Sequence, residues 1–454
     1  MTDSPTSSAP SAEGLQRRIF RLWLPLAASW LMMGAEMPLY SAVAARLPEA
    51  KASLAAFSSL VFPVALIVEG PIIMLLAAST ALSRDLASYK KLRRFAHLSG
   101  AALSGVHALI AFTPLFDLLA REVLDVPEEV IEPARQGLRI LTPWTWAIAT
   151  RRFQQGVLIR FERSKLVGVG TAVRLLANAL VCGIGLAYGT ASGAVVGCAG
   201  IAAGVLAEAV FAGLCVRPLI RGELAQAEPV EPLTRAAFAR FYGPLALTPL
   251  ITLAVQPVSA GAMARMPRDY DSLASWTPVW GLIFLTRSVG FAYNEVVVRL
   301  LDEPGGARAL ARFGRTVSAV TFSILVLLAA TPLAGLWFEV VSGLDPEMAA
   351  FCRWGVALGV LMPVFSALQS WFNGILVHAK RTRAITESVS LYMLVVASIL
   401  AVGVATQPVA GMYYTIGALT AGGLAQTLWV GWRARPHLRM VQEQSGPAPR
   451  PLEA

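Results

Sequence analysis

"ARLPEAKASLAAF", residues 45–57, and "ARMPRDYDSLASW", residues 264–276, are two versions of one segment. They stand 219 residues apart (45 to 264), and the same spacing sets "WLPLA" at 23–27 against "YGPLA" at 242–246. Pro25, Pro38 and Pro48 recur as Pro244, Pro257 and Pro267. Further along the spacing is 218: "FQQGVLIR" at 153–160 faces "WFNGILVH" at 371–378, and "GVLAEAVFAGLCVRP" at 204–218 faces "GGLAQTLWVGWRARP" at 422–436. A spacing held along the whole of each half marks an internal duplication.

The duplicated unit is made for lipid. Of 454 residues, 56% are hydrophobic and only 15% charged, against roughly 25% charged in soluble proteins. About 20 apolar residues are needed to cross a bilayer as a helix. Twelve such runs are read, at 20–44, 53–79, 95–119, 136–158, 166–188, 193–216, 239–263, 272–298, 316–338, 350–377, 385–404 and 409–432. Six spans per half is an even number, so both halves enter from the same side as a parallel repeat about the membrane normal. The expected fold is an all-α membrane protein of twelve transmembrane helices in two parallel six-helix repeats. The expected organisation is a disordered tail 1–16, a bundle 17–220, a linker 221–238, a second bundle 239–436 and a disordered tail 437–454.

Basic residues orient the chain. One set of loops carries Arg17, Arg18 and Arg21, then Arg84, Lys90, Lys91, Arg93 and Arg94, then Arg160, Arg163 and Lys165, and continues so to Lys380, Arg381, Arg383 and Arg450. The opposite set holds only Arg46, Lys51, Arg121, Arg135, Arg265, Arg268 and Arg353. Both termini are therefore expected in the cytoplasm, with the chain multi-pass in a bacterial inner (plasma) membrane. The net charge of +10 is read as this topology signal and not as a nucleic-acid surface, because the cations are spread over short loops.

Several chemistries lack their signatures. There is no G-x-x-x-x-G-K-[ST] loop for ATP. The histidines His97, His107, His378 and His437 are scattered, so no metal site is expected. Cys182, Cys198, Cys215 and Cys352 lie in apolar runs and read as small buried hydrophobes. No nucleophile–base pair at a recognisable spacing stands out, and no enzyme or cofactor is expected.

What remains are polar groups at membrane depth, where an unpaired charge costs at least about 2.5–3.5 kcal/mol. They are Glu36 beside Pro38, Glu69, the adjacent Arg151 and Arg152, Arg174 with Asn178 four residues on, and Arg287. Arg151 shares a helix face with Trp144, Ile148 and Gln155, and the matching stretch of the second half carries Gln369 and Ser370. That recurring polar stripe suggests a cavity wall. Successive residues on a helix point about 100° apart, so Arg152 is expected to serve packing or a lipid headgroup while Arg151 lines the cleft. Arg287 and Glu69 fall at similar depth in opposite halves, either as a pair or apart. Arg174 either holds Glu36 ionised or leaves it free to carry a proton. Pro38 and Pro257, each in the first span of its half, are candidate hinges. His107 reads as a satisfied bundle histidine.

Twelve spans in two parallel halves resemble the multidrug/oligosaccharidyl-lipid/polysaccharide (MOP) exporter superfamily, which includes the MATE exporters. Within it, "FYGPLALTPLITLAVQP" (241–257), "GAE" (34–36), "GP" (70–71) and "FNGILVHAKRT" (372–382) are most similar to progressive ankylosis (ANK) proteins. The resemblance implies export of an anion related to nucleotide, pyrophosphate or citrate. It also places Glu36 and Asn178 where MATE exporters carry an acid on the first span and an asparagine on the fifth; Arg174, one turn from Asn178, departs from a cation exporter.

The expected function is a secondary active transporter that exports an organic anion by alternating access. Arg151, Gln155, Arg174, Asn178 and Arg287 are the expected substrate residues, and Glu36 and Glu69 the residues for a coupling ion, H+ or Na+. The alternatives are a MATE-type H+- or Na+-coupled multidrug cation antiporter and a lipid-linked saccharide flippase. The expected partners are a small anionic substrate and the bilayer, with no nucleic acid, and the chain is expected to act as a monomer.

Overall fold

The computed structural model describes residues 12–227, 234–379 and 381–444. Among these the chain is helical, with no strand. Twelve helical spans run in chain order. They are α1 (Ala12–Gly34, then Glu36–Ala44), α2 (Ala50–Leu82), α3 (Leu86–Phe112) and α4 (Glu128–Ile140, then Thr142–Arg160). Then come α5 (Ser164–Tyr188), α6 (Gly193–Gln226), α7 (Arg235–Leu253, then Val255–Met263) and α8 (Asp269–Phe291, then Tyr293–Leu300). The last four are α9 (Gly306–Ala330), α10 (Pro346–His378), α11 (Arg383–Thr406) and α12 (Gly411–Gln444). Seven of them reach membrane-spanning length and apolarity unaided. The start of α1 and the end of α12 lie on one face, here the terminal face; the other is the far face.

Each expected span overlaps an observed helix, but α3 and α9 lie some seven to ten residues earlier than expected, at Leu86–Phe112 and Gly306–Ala330, and the terminal helices are longer. The first helix starts at Ala12, inside the segment expected as tail, and the last continues to Gln444, through residues 437–444. The outer parts of both tails, the centre of the linker (228–233) and Lys380 lie outside the described residues.

The duplication is visible in the backbone. Left-handed conformations fall at matching places: Glu49 (φ 56) and Arg268 (φ 55), Asp125 (φ 53) and Gly343 (φ 74), Gly189 (φ 65) and Gln407 (φ 46). The loop before α6 donates Gly193 N–H to the Pro48 carbonyl, and the loop before α12 donates Gly411 N–H to the Pro267 carbonyl. Gly156 presses α4 onto α2 at Ser79, and its counterpart Gly374 presses α10 onto α8 at Val297.

Pro38 has no N–H for the Gly34 carbonyl, and Pro257 has none for that of Leu253. Accordingly α1 breaks at Ala35 and α7 at Ala254, the same position in each repeat. Below the break the two helices exchange partners. The first part of α1 packs on α8 and α9: Leu15 and Ile19 join the core of Tyr293, Leu310 and Trp371, Trp23 donates to the Val289 carbonyl at 3.1 Å, and Gln16 to that of Ala309 at 2.8 Å. The first part of α7 packs on α2 and α3, with Tyr242 donating to the Pro71 carbonyl and stacking edge-on to Phe95. Two bodies result, and each bundle borrows a half-helix from the other, which the boundaries read from sequence do not express.

Every hydrogen bond and ion pair between the two bodies, among the described residues, lies near the far face. Arg46 donates to the Val340 and Val341 carbonyls, and its counterpart Arg265 to that of Val123, the counterpart of Val341. Arg265 also pairs with Asp125, Lys51 with Asp271, and Ser58 donates to the Leu273 carbonyl. The bodies are fastened at one face only.

Candidate functional site

Between the bodies lies a cavity of about 480 Å³, within the 300–1,000 Å³ usual for small-molecule sites. The wall from the first body is formed by Glu36 (α1), Phe62, Leu66 and Glu69 (α2), Trp144, Ile148, Arg151 and Arg152 (α4) and Arg174 (α5). The opposite wall is formed by Val255 and Gln256 (α7), Trp280, Phe284, Arg287 and Phe291 (α8), Phe365 and Gln369 (α10), Tyr392 (α11) and Gln426 (α12).

The first wall is a charge network. Arg174 grips the Glu36 carboxylate with two nitrogens, Nε and Nη2. Arg151 Nη1 donates to Glu208 Oε2 at 3.0 Å, and Gln155, one turn away on the same face, donates to Glu208 Oε1 at 2.9 Å. Arg174 Nη1 lies 3.8 Å from Glu208 Oε2, so Glu208 joins both arginines. Glu208 comes from α6 and is fully buried behind the wall. Two-pronged arginine–carboxylate pairs are the stronger kind, and buried charges persist only when matched in this way. Arg174 thus takes up both oxygens of the Glu36 carboxylate, the paired arrangement of the two that the sequence allowed.

Beside the network sit two groups without such partners. Glu69 forms no ion pair among the described residues, and its Oε2 accepts no hydrogen bond. Arg152 likewise forms no ion pair, and its Nε donates to nothing among the described residues. Counting Glu208, this side carries three guanidinium groups and three carboxyl groups.

The second wall carries one charge. Arg287 Nε donates to Ser366 Oγ at 2.8 Å, and its guanidinium lies 5.6 Å from the ring centres of both Trp280 and Phe291. It forms no ion pair among the described residues. Gln369 is turned toward α12, donating to Thr427 Oγ1 at 2.9 Å.

Arg151, Arg174, Arg287, Glu36 and Glu69 are thus brought together on the cavity surface. Asn178 and Gln155 are not: Asn178 is buried against Gly200 and Gly204 of α6, accepting from the Cys182 thiol at 3.3 Å, and Gln155 faces Glu208. The reason is one of depth. Arg174 and Arg151 occupy the cavity side, and the residues one turn away fill the space behind. Arg152, expected to point elsewhere, lines the cavity beside Arg151, because Arg151 turns back to Glu208. Glu69 and Arg287 share the cavity without pairing. His107 is satisfied within its bundle, with Nε2 2.8 Å from the Leu138 carbonyl and Nδ1 3.2 Å from Thr145 Oγ1. Glu208 was legible only as an acid facing Gln426 across the duplication; its partnership with Arg151 had no local signal. The aromatic cluster around Arg287 was missed, since Trp280, Phe284 and Phe291 read as ordinary span residues.

No sequence-family model matches the chain, and no curated protein matches it in sequence. Solved structures do match in fold. An inward-facing multidrug resistance MATE family transporter of the MOP superfamily aligns with TM-score 0.71 at 12% identity, covering 94% of this chain and 99% of that one. An outward-facing MATE transporter of the same superfamily aligns with TM-score 0.62 at 14% identity, covering 97% and 100%. A MOP superfamily transporter from Pyrococcus furiosus, described as having a binding pocket of reverse polarity that suggests a different function, aligns with TM-score 0.59 at 14% identity, covering 97% and 100%. At such identities the likeness establishes the fold: the chain is an integral, multi-pass membrane protein with the twelve-helix MATE architecture.

Proposed function

We propose that the protein is a secondary active transporter that moves an organic anion by alternating access. The observation that carries this reading is the cavity between two duplicated bodies that are tied together at one face only. Releasing the far-face ties and closing the terminal face would expose the same cavity to the other side. The paired breaks at Ala35 and Ala254, set by Pro38 and Pro257, are the natural hinges. The terminal face is the cytoplasmic one, because its loops carry most of the lysines and arginines. The substrate is an anion because the cavity surface holds four arginines against two glutamates, with Glu208 behind them balancing one. Export is the direction implied by the resemblance to MOP-type exporters.

Glu69 is the group available for a coupling proton. Glu36 is committed to Arg174, whereas Glu69 reaches the cavity with no ion-pair partner. A specific observation favours a second reading: a carboxylate without an ion pair, facing a largely aromatic wall across the cavity, also suits an organic cation exchanged for protons. Flux measurements on proteoliposomes separate the two. Counterflow of a labelled organic anion, sensitive to an imposed pH gradient and insensitive to that gradient in Glu69→Gln, supports the anion reading. Flux of a cationic dye with no anion flux overturns it.

A further inference from the structure

The charge balance and the surroundings of Arg287 narrow the substrate class, on the premise that the cargo is an anion. On the first wall Arg151 and Arg174 are taken up by Glu208 and Glu36. The second wall carries a single charge among its described lining residues, and it sits on Arg287. Ser366 fixes the orientation of that guanidinium through Nε, leaving its two outer nitrogens for a ligand. A carboxylate matches this pair of donors, as planar two-pronged acceptors do generally. Trp280 and Phe291 flank the guanidinium at equal distance, with Phe284 and Tyr392 beside them on the same wall. An aromatic shelf around one cation suits a flat apolar body bearing one acidic group. A compact polyanion fits poorly. On this wall it would bring two or more negative charges to one positive charge, and its remaining oxygens would meet rings.

We propose that Arg287, steered by Ser366, is the acid-binding subsite for an amphipathic monoanion with a planar aromatic or otherwise flat apolar body, and that citrate- or pyrophosphate-like polyanions are excluded. The test is binding to the full-length protein purified in detergent, followed by quenching of tryptophan fluorescence and by equilibrium dialysis. The probes are 2-naphthoate, its uncharged analogue 2-naphthamide, citrate, pyrophosphate and a naphthyl trimethylammonium cation. The expected result is that 2-naphthoate binds at least ten-fold more tightly than the amide, citrate or pyrophosphate. Arg287→Gln should weaken 2-naphthoate at least ten-fold and leave 2-naphthamide unchanged, Arg287→Lys should retain part of the affinity, and Ser366→Ala should weaken it less than Arg287→Gln.

Citrate or pyrophosphate binding as tightly as 2-naphthoate overturns the single-charge subsite and leaves anion transport standing. Equal binding of 2-naphthoate and 2-naphthamide, or an unchanged affinity in both Arg287 variants, removes Arg287 from the site. Binding of the cation with none of the anions overturns this inference and the anion reading together, and so does the absence of any binding at millimolar probe.

Discussion

Glu36, Arg151 and Arg174 stand on one wall of the cavity; Val255, Gln369 and Tyr392 stand at the matching places on the other. The same backbone, written twice, carries a locked set of charges in one copy and neutral side chains in the other. Arg287 inverts the relation, since its counterpart in the first half is Val68. The difference separates two tasks. Matched buried charges fix a wall in one geometry, because every member needs the others. An unmatched cation against rings and a hydroxyl holds nothing else in place and is open to a guest.

The sharpest way to break this comparison is to remove one cation from each wall. Arg174→Ala strips Glu36 of its partner in a buried setting and should cost about 3–5 kcal/mol of stability. Arg287→Gln removes a cation that no carboxylate depends on; it should cost less than about 1.5 kcal/mol, the scale of one ordinary hydrogen bond. Thermal unfolding of the two purified variants checks this, and equal losses would mean that Arg287 is as structural as Arg174.

The next contrast concerns the duplicated helix crossings. A Cβ on Gly156 would collide with the Leu76 carbonyl, which is backbone, whereas one on Gly374 would meet the Val297 side chain at 2.6 Å. Overpacking costs typically about 1–3 kcal/mol. Gly156→Ala should fall at or above the top of that range and Gly374→Ala near its bottom, read as the ratio of folded protein recovered after graded heating. A reversed order would show that the first crossing is the more yielding one.

The far-face ties should be alike in the two halves. Arg46→Ala and Arg265→Ala each remove a partly exposed contact worth no more than about 1 kcal/mol. Their effect should appear instead as opening: a single cysteine placed at Leu54 should react faster with a membrane-impermeant maleimide, by similar factors in either variant and more in the double variant. A response from one arginine alone would make the latch lopsided.

The smallest expected effect lies in the segments joining α3 to α4 and α9 to α10. In the first, the hydrogen bond from Arg135 to Asp117 holds that carboxyl below the usual carboxylate range; the second has Gly335 at the matching place. A lowered value means the contribution is complete above the ordinary carboxylate range and fades as pH falls through the folded-state value. Because Asp117 is exposed, Asp117→Asn should leave unfolding at neutral pH almost unchanged and flatten only its acid dependence.

Much of this architecture was readable in the chain, for identifiable reasons. Spans and duplication follow from the length of apolar runs and from repeated words, both local properties. The positions of the two breaks followed from Pro38 and Pro257, since a proline names the carbonyl it deprives. Arg151, Arg174, Glu36, Glu69 and Arg287 could be picked because charge at membrane depth needs a reason. The exchange of half-helices was not readable: Leu15 and Ile19 look like any apolar pair, and their partners lie almost three hundred positions away. Nor was the pairing of Arg151 with Glu208, which depends on Glu208 reaching across from another helix.

One detail of the far face bears on how such a chain can change over generations. Arg46 and Arg265 grip main-chain oxygens, those of Val340, Val341 and Val123. Any residue supplies a carbonyl, so substitutions at those three positions leave the acceptors in place, and no compensating change is called for at the arginines. The clasp is inherited as the shape of a short bend and not as a pair of letters. An inserted residue there would undo it where a replaced one would pass unnoticed.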